Sequence, residues 1–307
     1  MLSGVGDKEH LTQVGIQPKI DLPVGKNLQD HITTGFDLVL INETLELGIG
    51  QMLNPLSMWN YFTKGTGPWT TTGCELMAFF NTKNTSGQPD LQFMVMPLSI
   101  REDDGVFLRK LVGISDKTFS DYFARNRKPS ITILPVVLHP KSRGFLRLHS
   151  KDPAEPPLID PKYLSAPEDV DTLILGIQLI KQLVDTPQMK LIGAELNRTP
   201  FPGCEHHTFD TRAYWECYVT RLTITSYHPV GTCKMGHPSD VSTVVDFDFK
   251  VQRTNNLYVV DGSVLPTLTS GNINGAILML AEMASDVIRK SYFLNTGYCR
   301  MSDLFLL

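Results

Sequence analysis

The sequence predicts a mixed α/β (α+β) fold, in which short strands in the middle of the chain are flanked by helices. Strands are predicted at Leu91 to Met96, Ile131 to Leu138 and Phe145 to Leu148, because each is a short apolar or alternating run bounded by turn residues. A helix is predicted from about Asn274, where apolar residues recur at helical spacing. The chain contains no internal repeat, which excludes a solenoid.

Two helices are marked by signals at their ends. Ser165, Pro167 and Glu168 form an N-terminal capping pattern before an amphipathic stretch. We therefore expect a helix that is capped by Ser165 and ends near Pro187. The terminal helix is expected to close at Lys290, since basic residues suit the carboxyl end of a helix.

Composition and charge exclude several classes of protein. The chain has 307 residues, of which 42% are hydrophobic and 20% charged, as in ordinary globular proteins. Its formal net charge is −4, so no overall positive field attracts a phosphate backbone, and we expect no nucleic-acid partner. The longest purely apolar stretch, from Ala276 to Ala281, is far shorter than the roughly 20 residues of a membrane span. Residues 1–11 do not read as a secretory signal, and the compartment stays open.

The segment around His228 carries the strongest candidate for chemistry. Pro229 favours an extended backbone at His228, and Gly231 and Gly236 permit a tight turn behind it. An imidazole aimed in this way, with an ordinary pKa near 6.5, suits proton abstraction from a hydroxyl. A histidine packed in a turn explains the same residues, so both interpretations stand.

Two further segments follow. An apolar run that predicts a buried strand ends in Asp261 and Gly262, which would offer an acceptor and a close backbone approach to a ligand, although turn chemistry explains the same pair. The loop from Pro266 to Gly275 then leads into the terminal helix. The free N–H groups at the start of that helix favour an anionic ligand edge.

Together these segments resemble the carboxyl-terminal signature of the glucose-methanol-choline (GMC) family of FAD-dependent oxidoreductases. The resemblance runs from Met1 to about Lys290 and includes a close match to the insect glucose-dehydrogenase-like branch. Earlier blocks also fit the family, and they comprise Leu2-Ser3-Gly4-Val5-Gly6, Val14-Gly15-Ile16, Asp21-Leu22-Pro23-Val24-Gly25 and Asn27-Leu28-Gln29-Asp30-His31.

The resemblance implies oxidation of an alcohol or sugar at its CH–OH group. It places a catalytic histidine at His228 and a second catalytic residue, a histidine or asparagine in the family, at Asn274. In that scheme His228 accepts the hydroxyl proton, the carbinol carbon passes a hydride to the flavin, and Asn274 holds the substrate oxygen. The electron acceptor, a quinone or oxygen, stays open, and so does an extracellular location.

The resemblance also implies the cofactor contacts and the domain order. The residues expected to contact FAD are Asp261, Gly262, Asn272, Asn274 and Gly275. Residues 1–33 would be a remnant of the amino-terminal FAD-binding region, 34–225 an antiparallel-sheet substrate-binding domain, and 226–290 the return to the FAD-binding domain. Residues 291–307 are expected to form an atypical tail.

One family element is missing from the sequence. Members open with a strand, a G-x-G-x-x-G turn and a helix that bind the ADP half of FAD. Gly4 and Gly6 lack a preceding strand, and Glu9 stands where the third glycine belongs, so we reject them as this motif. We therefore expect the carboxyl-terminal half of an enzyme, and two alternatives follow: a truncated, non-catalytic fragment unable to retain FAD, or a lyase on the same scaffold.

The remaining reactive side chains point to no metal. The cysteine count is five, which is odd, and the spacings form neither a disulfide scaffold nor a zinc site. Two loose clusters of metal-ligating residue types lack the spacing of a structural zinc site, namely Cys204, His206, His207 and Cys217, and His228, Cys233 and His237. The side chains expected to pack in the core or line a pocket are Trp59, Trp69, Trp215, Met94, Met96 and Cys74. Three glycosylation sequons begin at Asn42, Asn84 and Asn197.

Overall fold

The structure is a computed structural model that describes residues 1–42, 49–82, 87–101, 103–125 and 128–296. Its strands are β1 (Val5–Gly6), β2 (Ile20–Asp21), β3 (Ile32–Thr33), β4 (Val39–Leu40), β5 (Leu76–Phe80), β6 (Leu91–Met96), β7 (Ser130–Val137), β8 (Phe145–Arg147), β9 (Leu158–Asp160), β10 (Glu195–Leu196) and β11 (Ile224–Thr225). Its α-helices are α1 (Lys8–Gln13), α2 (Ile49–Met52), α3 (Pro55–Lys64), α4 (Leu108–Leu111), α5 (Asp116–Asp121), α6 (Pro167–Val184), α7 (Pro187–Leu191), α8 (Arg212–Arg221) and α9 (Asn274–Thr296).

The chain divides into two compact units, which are described separately. The first unit comprises residues 1–30, 143–162 and the chain from His228 onward, and the second comprises 31–142 and 163–227. The domain boundaries drawn from the sequence, at 33/34 and 225/226, stay a prediction. Within the described ranges, no helix is long and apolar enough to cross a membrane.

An antiparallel sheet forms the centre of the second unit. Its strand order is β10-β4-β7-β3-β11, and β6 pairs with both β5 and β7. All residues of β7 are buried, because this apolar strand lies between neighbours in the sheet and beneath α6. Gly176 of α6 approaches Pro135 of β7 so closely that an added Cβ would lie 2.5 Å from the proline Cβ. The sheet and its helices confirm the predicted fold class, and β6 matches its predicted bounds.

Helix α6 begins differently from the prediction. Its N-cap is Ala166, which makes no side-chain hydrogen bond to the first turn, so the predicted cap at Ser165 is wrong. The first turn instead presents the buried Asp169, whose carboxylate accepts hydrogen bonds from the backbone N–H groups of Lys141 and Ser142. The start of α6 is therefore held by tertiary contacts. The helix ends at Val184, before the predicted end.

The first unit is built largely from loops around α9. The predicted buried strand before Asp261 is absent as a strand and survives as an isolated bridge between Tyr258 and Lys250. Pairing stops there because the facing loop turns through positive φ angles at Phe249 and Arg253. Helix α9 begins at Asn274 as predicted, but it passes Lys290 and continues to Thr296. Of the predicted tail, 291–296 is thus helical, and 297–307 lies outside the described residues.

The cysteines and tryptophans named in the sequence differ in their environments. Cys204 and Cys217 form a disulfide, with their Cα atoms 5.8 Å apart. This bridge was not predicted from the spacing of the cysteines. Among the described residues no group of three or more side chains is placed to hold a metal ion. Trp215 is buried, as expected of a core residue, whereas Trp59 and Trp69 are exposed, at 63% and 39%, so neither of these two packs in the core.

Candidate active site

The backbone around His228 is held by the segment of residues 27–30. The His228 N–H donates to the carboxylate of Asp30 at 2.9 Å. Next to it, Gln29 and Val230 exchange two backbone hydrogen bonds of 3.0 and 2.8 Å. Gly231 has φ +94°, and an added Cβ would lie 2.4 Å from the carbonyl oxygen of Asn27. The position of His228 is therefore set by residues about 200 positions away in the chain.

The environment of His228 favours a neutral imidazole. The residue is half-buried, and this burial lowers the pKa of His228 from its ordinary value of 6.5. The carboxylate of Asp30, which is itself buried, acts in the opposite direction and raises that pKa. Desolvation is the larger effect. A neutral imidazole is the form that can accept a proton.

A small apolar cluster joins the His228 segment to the start of α9. Val230, Leu268 and Ile273 are buried together, and Ile277 of α9 packs against them. Gly262 lies at the same place: a Cβ added there would be 3.3 Å from Ile277 Cδ1 and 3.6 Å from Val230 Cγ1. The segments that carry His228, Gly262 and Asn274 therefore converge on one cluster within the first unit.

Asp261 and Gly262 form the turn that the sequence offered as an alternative. The Asp261 carboxylate accepts a hydrogen bond of 2.8 Å from the Ser263 N–H and caps a 3₁₀ turn over Gly262–Val264. The Cys233 N–H donates to the Ser263 carbonyl at 2.9 Å, which ties this turn to the His228 segment. Gly262 is buried against its own chain. Contacts of these two residues with a cofactor stay a prediction.

The first turn of α9 offers hydrogen-bond donors at an open surface. Asn272, Asn274 and Gly275 are exposed, and no atom lies within 4 Å of a Cβ added at Gly275. The first amides of a helix have no partner within it, and its amino terminus carries partial positive charge. These donors fit the electron-rich edge of a flavin. On this chemistry the residues present are compatible with FAD.

Asp30 and its neighbours belong to the candidate site, although no role was predicted for them from the sequence. The Asn27 and Gln29 side-chain amides both donate to the carbonyl of Pro266, at 3.3 and 3.0 Å, so the same short block holds the loop that leads to α9. The signal in the sequence was the polar block at 27–31. Its meaning depends on pairing across the whole chain, which one sequence does not display.

A separate polar cleft lies in the first unit. Its volume is about 900 Å³, and charged side chains of both signs line it, among them Lys26, Asp246 and Arg253. None of the predicted site residues lines this cleft. Position and chemistry therefore separate it from the His228 segment, and we base the candidate site on the hydrogen bonds and packing described above.

Comparisons with known proteins show what the chain is similar to. Residues 140–281 match the family model described as GMC oxidoreductase. Glucose dehydrogenase (FAD, quinone) of Drosophila melanogaster is 33% identical over 95% of this chain and 45% of its own length. Alcohol dehydrogenase (acceptor) of Pseudomonas putida is 36% identical over 94% of this chain and 48% of its own. The chain thus spans about half the length of the curated relatives it matches.

Solved structures share the fold. Pyridoxine 4-oxidase from Mesorbium loti is 25% identical, with a TM-score of 0.68 over 93% of this chain and 47% of its own. A formate oxidase has a TM-score of 0.75 at 22% identity, over 94% of this chain and 51% of its own. Residues 140–281 thus match the GMC oxidoreductase family model, and the whole chain is similar to about half the length of glucose and alcohol dehydrogenases.

Proposed function

We propose that this chain serves the FAD-dependent oxidation of an alcohol or sugar at a CH–OH group, with His228 as the base. The observation that carries the proposal is the environment of His228: its backbone is fixed by Asp30, burial lowers its pKa, and its segment packs on the same apolar cluster as the start of α9. Relatives named as glucose and alcohol dehydrogenases support this class of reaction.

FAD, when bound, supplies the two-electron acceptor. The chain's own residues do the rest. His228, neutral because of its burial, takes the proton of the substrate hydroxyl. The Asn274 carboxamide donates a hydrogen bond to the substrate oxygen and fixes its orientation, without ionising.

The cofactor contacts we propose lie on two turns. The first amides of α9, together with Asn272, Asn274 and Gly275, stabilise negative charge at the site. Asp261 and Gly262 lie on the neighbouring turn and would contact the rest of the cofactor. The names of the relatives include both quinone and oxygen as acceptors, and the proposal covers either.

A second candidate is a non-catalytic chain that does not retain FAD by itself. The observation that favours it is the packing of Gly4, where an added Cβ would lie 2.7 Å from the Gln17 carbonyl oxygen. The space beside Gly4 is therefore filled by the chain's own backbone. The helix that follows, α1, has only six residues. Gly4 and Gly6 also lack the sequence pattern of a dinucleotide-binding motif, since Glu9 stands where a third glycine belongs. A lyase would differ from both candidates, because its substrate would leave bound flavin oxidised.

The test begins with FAD titrated into residues 1–307, followed by the visible spectrum and by the dissociation constant. If FAD binds, alcohols and sugars are then mixed with the complex under anaerobic conditions. We expect the flavin to be reduced, and His228→Ala to slow that reduction by about 100-fold or more, as loss of a general base does. His237→Ala is the matched control, because His237 is exposed and bonded locally to Ser239.

Each result has a clear meaning. Near wild-type flavin reduction by His228→Ala would refute the assignment of the base. Bound flavin that no alcohol or sugar reduces would refute the oxidation. Failure of the intact chain to bind FAD would favour the non-catalytic candidate.

A further inference from the structure

The backbone pairing between residues 27–30 and the His228 segment is interrupted at His228. Gln29 and Val230 exchange two backbone hydrogen bonds, of 3.0 and 2.8 Å, as a hydrogen-bonded pair of an antiparallel ladder does. In a regular ladder the next such pair lies two residues further along each strand, and it would join His31 to His228. The His31 carbonyl instead accepts the N–H of Ser226 at 2.8 Å. The amide of His228 is therefore displaced from the ladder.

The displacement accompanies an unusual backbone conformation at Tyr227, the residue before His228. Its φ is +61°, in the left-handed region that bulky side chains rarely adopt. An interruption of this kind in a ladder re-aims a side chain and leaves a backbone amide to be satisfied by other means. The Asp30 carboxylate accepts the His228 amide at 2.9 Å, so a side chain of the paired segment takes over where the ladder stops.

The acceptor that holds His228 is a buried charge. Asp30 is 6% exposed, and taking an ionised group out of water costs far more than taking a neutral one. An asparagine would offer the same amide an acceptor oxygen at a lower cost. The negative charge therefore contributes something that the hydrogen bond to the backbone does not need.

The imidazole of His228 is where that charge has an effect. Burial lowers the pKa of His228, and the Asp30 carboxylate raises it. When the ring accepts the substrate proton, an O–H bond breaks, an N–H bond forms, and the ring passes from neutral to a charge of +1. The carbinol hydride, with its electron pair, goes to the oxidised flavin. A buried opposite charge stabilises the cation on the ring, and salt screens a buried charge little.

The other charged and titratable groups on the neighbouring segments of the first unit are engaged elsewhere or neutral. Lys26 and Lys234 each lie within 3.4 Å of a carboxylate. The Asp261 carboxylate is exposed and caps its own 3₁₀ turn. Burial raises the pKa of the Cys233 thiol, which keeps it uncharged. The first turn of α9 contains no acidic residue.

Two titratable side chains adjoin the pair in the sequence. The Tyr227 hydroxyl donates to the Leu111 carbonyl, and the His31 Nε2 lies 3.0 Å from the Leu138 carbonyl oxygen. Both bonds lie within the second unit. Asp30 is therefore the carboxylate from which His228 draws its counter-charge.

We propose that Asp30 is the positioning residue of the base: its carboxylate fixes His228 through the backbone N–H and stabilises the positive charge that the ring gains with the substrate proton. This rests on the proposed function, since it takes His228 as the base. Asp30 acts through His228 and not on the substrate, and it sets how strong a base the ring is.

The first experiment follows the anaerobic reduction of bound FAD in the intact chain from about pH 5 to 9, with glucose, choline and primary alcohols as probes. Asp30→Asn keeps an acceptor oxygen for the His228 N–H and removes the charge. Because the ring is then a weaker base, we expect the rate at high pH to fall by about three- to tenfold, and the rise of the rate with pH to move to lower pH. The two rates should differ less at low pH, because more of the ring stays neutral in the variant.

Further variants separate charge from structure. Asp30→Glu keeps the charge, and its rate should rise over the same pH range as that of the wild type. Asp169→Asn is the matched control, because Asp169 is 1% exposed and accepts two backbone N–H groups but lies in the second unit, so the pH profile should not move. If Asp30→Asn does not fold, Asp30→Glu and Asp30→Gln give a second pair that differs only in charge.

The second experiment needs no flavin. The chain has eight histidines, and the ring signal of His228 is assigned by its loss in His228→Ala. NMR titration of labelled histidine should show a lower pKa of His228 in Asp30→Asn than in the wild type. The difference should persist at high salt, because a buried charge is poorly screened.

Equal pH profiles of the wild type and Asp30→Asn, with flavin reduced by both, would overturn the proposal and leave the proposed function standing. A rate lowered by the same factor at every pH would overturn it too, since that is the mark of a structural defect. If no probe reduces the wild type, the proposed function fails. The ring titration then decides the link between Asp30 and His228: a shift supports it, and equal pKa values overturn it.

Discussion

The tight turn at Gly231 offers the sharpest test of how the His228 segment is held. Replacement by alanine acts in two ways. The φ of +94° lies in a region that costs an L-residue about 1–2 kcal/mol. The new Cβ would also lie 2.4 Å from the carbonyl oxygen of Asn27, so backbone has to move, which adds about 1–3 kcal/mol. We expect Gly231→Ala to lower the free energy of unfolding by about 2–5 kcal/mol.

Gly15 supplies a matched control in the same unit. Its φ is +74°, but no atom lies within 4 Å of an added Cβ. Gly15→Ala therefore incurs the backbone cost without the collision, and it should lower the free energy of unfolding by about 1–2 kcal/mol. The difference between the two variants isolates the contact between Gly231 and Asn27.

Two measurements check this prediction. Urea unfolding followed by far-ultraviolet circular dichroism gives the change in free energy. Amide hydrogen exchange of peptides that cover residues 20–31 and 228–236 shows whether the loss is local to the two paired segments. Equal stability and equal exchange protection in the two variants would refute the claim that residues 27–30 hold the His228 turn.

Three further predictions concern other parts of the molecule. Because burial lowers the pKa of His228, the unfolded chain binds its proton more tightly, and stability should rise with pH through the range just below 6.5; Asp30→Asn should lower that pKa further, as NMR titration of the His228 ring would show. Replacement of both Cys204 and Cys217 by serine opens a loop with a sequence separation of 13 and should lower the free energy of unfolding in urea by about 3 kcal/mol. Reductant should lower the stability of the wild type by a similar amount, and a smaller loss in the double variant than in the reduced wild type would contradict this prediction. Asn197 is 4% exposed and its amide donates to a backbone carbonyl, so peptide mass spectrometry after secretory expression should find its sequon without a glycan.

Regular elements with strong local patterns were predictable from the sequence. β6 and the start of α9 match their predicted positions, because apolar periodicity and turn residues are local signals. The end of α6 was missed by a few residues, and its cap was assigned to Ser165 although Ala166 occupies that position. The tertiary contacts of Asp169 decide where this helix starts, and they involve residues more than 20 positions away.

The features that were not predicted from the sequence depend on contacts between residues far apart in the chain, or on which side chains are exposed to solvent. The disulfide between Cys204 and Cys217 was not predicted, because the spacing of the two cysteines is not distinctive and the total number of cysteines is odd. Trp59 was assigned to a core or pocket wall because large aromatic residues are usually buried, and the structure exposes it. Asn197, the first residue of one sequon, is buried, so the sequence motif alone does not mark an accessible site. In the other two sequons, residues 43–44 and 84–86 lie outside the described residues.

The stability of the candidate site follows from how its loops are joined. The stretch from 228 to 273 contains little regular structure, so its backbone groups need partners outside helices and strands. Some of those partners lie within the stretch itself and others are residues 27–30, while Val230, Leu268 and Ile273 form a buried apolar cluster. Both sets are small, because residues 27–30 supply only a few hydrogen bonds and three apolar side chains bury a small area. A change to either set should therefore disturb the His228 segment and the start of α9 together. For this reason the polar block at 27–30 belongs to the candidate site, although none of its residues is a candidate catalytic residue.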